Sequence, residues 1–111
     1  VTYSNQSKEE LLGVPNELIQ RHGAVSQEVA EAMAAGIRRI AHTDIGISTT
    51  GIAGPTGATA VKPVGLVWIG YADNETTFAI RFQLGNQRRR VKERAAQAAL
   101  ELLRRRLLKI E

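Results

Sequence analysis

An α/β/α layered domain, with a mixed sheet that includes one antiparallel hairpin, is the architecture this sequence predicts. The hydrophobic patterns run strand, helices, strand, strand, strand, helix, an order that layers helices over one sheet. Residues 44–49 and 64–72 form short, mainly apolar runs, whereas 29–40 and 91–103 repeat apolar residues at helical spacing. Ala32, Ala34, Ala35 and Gly36 keep the first long helix slim, which suits close packing on a sheet.

Each element has a local cause. Val1, Thr2 and Tyr3 read as the end of a strand. Asn5 or Ser7 caps a short helix over 8–12, which Gly13 and Pro15 stop. A second short helix over 16–22 ends at Gly23. Ser26 is a good N-cap for the next helix, and Glu28 sits at its positive end. Val29, Met33, Gly36, Ile37 and Ile40 give that helix one packed face, and it ends near His42. Strands follow over 44–49 and 64–72, with Trp68 expected in the core. Asp73-Asn74 marks a hairpin into 76–84, where Phe78, Ile80 and Phe82 alternate with Thr77, Ala79 and Arg81. Gly85-Asn86 opens the last helix, whose face carries Val91, Ala95, Ala98, Ala99, Leu102 and Leu103.

With 111 residues the chain is one domain with a modest core. It opens on Val1 rather than methionine and reads as an N-terminally truncated domain that lacks a first strand–helix unit. Cysteine is absent, so disulfides and thiolate chemistry are excluded and a reducing compartment, the cytoplasm, is expected. No apolar run approaches the ~20 residues that span a bilayer, so no membrane partner is expected. The net charge of +4 is uneven: residues 85–111 carry nine Lys/Arg against three Glu, while the rest is slightly acidic. Such a segment suits an anionic substrate, nucleic acid or a solvated helix face. The five aromatic residues are not interleaved with the basic ones, so nucleic acid is not the expected partner. Arg104, Arg105 and Arg106 read as a solvated helix end that complements the dipole. His22 and His42 read as helix-end residues without companions at metal-ligand spacing, and neither a metal nor a cofactor is expected.

The segment Ser48-Thr49-Thr50-Gly51-Ile52-Ala53-Gly54-Pro55-Thr56-Gly57, followed by Lys62-Pro63-Val64-Gly65, stands between two strands. Its hydroxyls and glycines can bring backbone N–H groups and side-chain oxygens close to a ligand. In an open α/β sheet ligands sit beyond the carboxyl ends of strands, where this loop falls. The plainer reading is a strand connection in which glycine serves backbone geometry. Tyr3 and Lys8 lie at the end of one strand and the start of the next helix, close enough to face one site. A lysine beside a tyrosine can lower the phenol's pKa and make it a base; the alternative is a half-buried aromatic and a surface lysine. An arginine at a helix start, such as Arg88, costs stability unless an anion sits there.

These blocks, together with HGAVSQEVAEAMAAG, resemble in order and spacing the C-terminal domain of the CinA family, over residues 1 to about 103. The resemblance implies a nicotinamide-nucleotide amidohydrolase, converting nicotinamide mononucleotide (NMN) to nicotinic acid mononucleotide and ammonia. It assigns Tyr3 and Lys8 to the catalytic machinery. Thr50, Gly51, Ala53 and Gly54 would line the nicotinamide-ribose pocket, and Arg88 would hold the anionic end, with Arg89 competing because this chain has one extra residue after Gly85. The family's Ser-x-Thr-Gly-Gly type motif, whose serine is taken as the nucleophile, has no counterpart here, so the chain alone is expected to be inactive. Fusion to a molybdopterin-binding-like domain and a homo-oligomeric state are further expectations. The competing functions are a nucleic-acid-binding module built on the basic last helix, and a non-catalytic fragment that assembles through an uncovered sheet edge.

Overall fold

The structure, a computed structural model, describes residues 5–52, 62–85 and 88–109. Four helices and three strands follow one another: α1 (Asn5–Leu12), α2 (Asn16–His22), α3 (Gln27–Ala41), β1 (Gly46–Gly51), β2 (Leu66–Ala72), β3 (Thr77–Gln83) and α4 (Arg88–Leu108). The sheet order is β1-β2-β3, antiparallel at both pairings. Gly51 pairs with Val67 at one end, and Gly46 with Ala72 at the other. The layered α/β class holds. The described sheet is antiparallel throughout, and the strand expected at 1–3 lies outside the described residues.

Helix α3 begins where its cap predicts. The Ser26 hydroxyl accepts from the Val29 N–H at 3.3 Å and donates to the Gly23 carbonyl at 2.8 Å. At the other end His42 takes a left-handed conformation (φ 54°) and returns its N–H to Arg38. Strand β2 is central and covered on both faces, which explains its near-continuous apolar sequence LVWIGYA. Trp68 is only half-buried, where it pairs with Arg81 of the edge strand β3.

The two faces of the sheet have different chemistry. Val67, Ile69 and Tyr71 meet Val91 and Leu102 of α4, with Ile47, Phe78 and Phe82 around them. Each fully buried aliphatic side chain there contributes about 1.5–3 kcal/mol. The opposite face lies against α3 through small residues: the Ser48 hydroxyl donates to the Ala30 carbonyl at 2.6 Å, and Gly70 sits on the same carbonyl. A second core cluster, Leu12, Val14, Ile19, Val29 and Met33, locks α1 and α2 onto α3. Gly36 brings α3 against the Leu12 backbone so closely that a Cβ would overlap the Leu12 carbonyl oxygen.

The hairpin end carries a contact beyond the sequence expectation. Arg106 is exposed in the last turn of α4, as expected, yet its guanidinium carbon lies 5.0 Å from the Tyr71 ring centroid and 5.4 Å from that of Phe78. The two rings stack at 5.1 Å, and Arg106 is 3.5 Å from Asp73. The tight hairpin makes this possible, because it folds Phe78 back beside Tyr71 at the point where α4 passes. Arg104 and Arg105 instead pair with Glu101 one turn away, at 3.5 and 3.0 Å.

Candidate functional site

Three chain segments converge at the Gly51 end of the sheet. The first is the end of β1. Thr50 is buried, and its hydroxyl donates to the Ala24 carbonyl at 2.8 Å, so that hydrogen is committed to the turn between α2 and α3. Ser48 is committed in the same way to Ala30, which leaves both hydroxyls in structural roles. Gly51 is exposed on the neighbouring position.

The second segment is Lys62-Pro63-Val64-Gly65. Gly65 donates its N–H to the Ile52 carbonyl at 2.7 Å, and Ile52 donates to Leu66 at 2.9 Å. The ladder of β1 and β2 is thereby prolonged past Gly51. Gly65 has φ +89°, and a Cβ there would collide with the Gly85 carbonyl, so only glycine suits the position. Lys62 crosses to α2, its ammonium donating to the His22 carbonyl at 2.6 Å. Sequence reasoning did not single out Lys62; its place in the Lys-Pro-Val-Gly block was the available signal.

The third segment is the entry to α4. Leu84 donates to Gly65 at 2.9 Å, and the Gln83 amide donates to Val64 at 2.7 Å, which ties the end of β3 to the same block. Arg88 is the first residue of α4, so the structure sets the start of that helix beside the loop base. The side chains of Arg88 and Arg89, together with Tyr3, Ala53 and Gly54, lie outside the described residues.

Lys8 lies on α1, which packs on α3. No hydrogen bond or ion pair among the described residues joins it to Thr50 or Gly51. It is 6% exposed, which replaces the surface-lysine alternative with a buried amine. Burial lowers its pKa by disfavouring the ammonium form. Its neighbour Glu9 keeps one carboxylate oxygen buried without a hydrogen-bond partner among the described residues.

His22 closes α2 and lies 3.6 Å from Glu28 in the first turn of α3; His42 caps α3. Among the described residues no three His, Asp or Glu side chains group so as to hold a metal ion. Among them, too, no helix is long and apolar enough to cross a membrane.

A layered α/β domain with the flanks of a strand connection, a helix start and a buried lysine is thus defined on its own geometry. The chain belongs to the family of the CinA C-terminal domain, whose sequence profile matches residues 1–107. It is 54% identical over 107 residues to a CinA-like protein of Syntrophus aciditrophicus, covering 95% of this chain and 25% of that protein. A CinA-like protein of Kosmotoga olearia is 51% identical over 108 residues, 97% of this chain and 26% of its own length. The fold matches the crystal structure of the competence damage-inducible protein A of Klebsiella pneumoniae with a TM-score of 0.91 at 32% identity. That match covers 97% of this chain and 67% of the other. The chain therefore spans about a quarter of the length of these curated relatives.

Proposed function

We propose that the chain forms part of an amidohydrolase that converts NMN to nicotinic acid mononucleotide and ammonia. The observation that carries the reading is the burial of Lys8. A lysine held out of water gives up its proton more readily than a surface one, as a general base in acyl chemistry requires. Lys8, with Tyr3, takes the proton from the hydroxyl of a serine supplied by the longer natural protein. That oxygen attacks the amide carbonyl, ammonia leaves, and water then releases the acid from the ester. Backbone groups at Thr50, Gly51, Ala53 and Gly54 hold the nicotinamide ribose, and Arg88 faces the anionic end. Membership of the family supports this reading, as does the commitment of the Thr50 and Ser48 hydroxyls to backbone carbonyls, which leaves the nucleophile's role to another group. A cytoplasmic, self-associating enzyme of pyridine-nucleotide metabolism fits the same reading.

The test is ammonia release from NMN by the longer natural protein and by its Lys8→Met variant. Loss of a positioned general base lowers kcat by about 10²–10⁴-fold. Turnover of the variant at the unmodified rate, or no ammonia from the unmodified protein, overturns the proposal.

A further inference from the structure

Three consecutive carbonyls between α2 and α3 each accept a side-chain donor. His22 takes the Lys62 ammonium at 2.6 Å, Gly23 takes Ser26 at 2.8 Å, and Ala24 takes Thr50 at 2.8 Å. Two of these donors flank the β1–β2 connection: Thr50 just before it and Lys62 on its return arm. One short turn therefore holds both sides of the connection. Gly23 makes room for this, since a Cβ there would lie 2.6 Å from the Lys62 nitrogen. The Lys62–Gly65 block passes the restraint on: Val64 and Gly65 are bonded to Gln83, Leu84 and Ile52, at distances of 2.7–2.9 Å.

We propose that Lys62 is a positioning residue: it is the strut that sets the spacing between the Thr50–Ile52 backbone and the start of α4. The kinetic consequence rests on the amidohydrolase reading, in which those two segments bind opposite ends of NMN. The bond spans 40 residues of sequence and is charge-assisted. It also places a cation at the carbonyl end of α2, where the helix dipole favours it. When it is lost, water can satisfy the His22 carbonyl, so the effect is local rather than global.

The experiment compares Lys62→Met and Lys62→Arg in the longer natural protein. In Lys62→Met the amides of Ile52 and Gly65 exchange hydrogen about tenfold to a hundredfold faster, the loss expected for one charge-assisted bond, while Ile69 keeps its protection. KM for NMN rises about tenfold with a smaller change in kcat, and Lys62→Arg recovers part of both effects because it still donates to the carbonyl. Unchanged exchange at Ile52 and Gly65 overturns the strut, whatever the kinetics. A raised KM with unchanged exchange would make Lys62 a direct substrate contact, and a lowered Tm alone would make it merely structural; either result overturns positioning. If the unmodified protein releases no ammonia, the amidohydrolase reading fails and the exchange measurement alone decides the strut.

Discussion

Replacing Gly36 with alanine sets two effects of opposite sign against each other. In a helix interior alanine is favoured over glycine by about 0.5–1 kcal/mol, so helix propensity predicts a more stable protein. The structure predicts the reverse. A Cβ on Gly36 would overlap the Leu12 carbonyl oxygen and lie 2.9 Å from the carbonyl carbon and 3.2 Å from the Leu12 Cα. These are backbone atoms, so no rotamer change relieves them. The Leu12 carbonyl also accepts from Arg39 at 3.2 Å, so α1 cannot retreat without straining that bond. Overpacking costs about 1–3 kcal/mol, and an overlap this close with backbone atoms belongs in the upper half of that range, which leaves a net loss of about 1–2.5 kcal/mol. For a domain near 100 residues each kcal/mol lowers Tm by about 4–8 °C. Thermal unfolding followed by circular dichroism reads this directly, and faster hydrogen exchange confined to α1 would place the damage. A Gly36→Ala protein as stable as the original, or more so, would refute the packing argument and leave propensity as the stronger effect.

The arginines separate by location. Arg88→Ala in the longer natural protein should lower kcat/KM for NMN about tenfold to a hundredfold, the worth of a charge-assisted contact. The double change of Arg104 and Arg105 to Ala should alter it less than twofold, because their pairs with Glu101 are exposed to solvent; steady-state ammonia assays compare the two. Asp73 is held down to about 2, first by the backbone N–H groups of Glu75 and Thr76 and then by the Tyr71 hydroxyl. A carboxylate depressed in the folded state adds stability above its unfolded pKa, and that stability disappears as pH falls from about 4 towards 2. Asp73→Asn should therefore flatten the dependence of Tm on pH over that interval, and an unchanged profile would show that the hairpin contacts do not set it. Ammonia release by the longer natural protein should survive a strong chelator, since the proposed chemistry uses hydroxyl and amine groups; loss restored by added metal would count against it.

The elements whose causes are local were legible in the sequence. Ser26, His42 and the Asp73 turn end or begin their elements where capping and turn chemistry place them. The strand β2 was legible too, in its apolar run, although Trp68, expected in the core, is half-buried. What escaped was set by distant contacts. The antiparallel pairing of β1 with β2 is not written in the connection between them, which is long enough for other arrangements. Arg106 was read with its neighbours because a run of three arginines carries no sign that one of them meets two rings more than 25 residues away. Lys8 was singled out beside Tyr3 and by the family block, but nothing in a short polar helix tells a buried lysine from a surface one. Lys62 was part of a recognised block, but its partner at His22 is visible only in three dimensions.

The coincidence of strand order with chain order has a consequence for biosynthesis. Because β1, β2 and β3 pair with their neighbours in sequence, the sheet and α3 can assemble before α4 has left the ribosome. Until that last helix arrives, Val67, Ile69 and Tyr71 present an uncovered apolar face to solvent. The nascent chain is then most exposed to aggregation in the interval between the emergence of Gln83 and that of Leu102. Slow codons or a stalled ribosome in that stretch would lower the yield of folded protein without changing one residue of it.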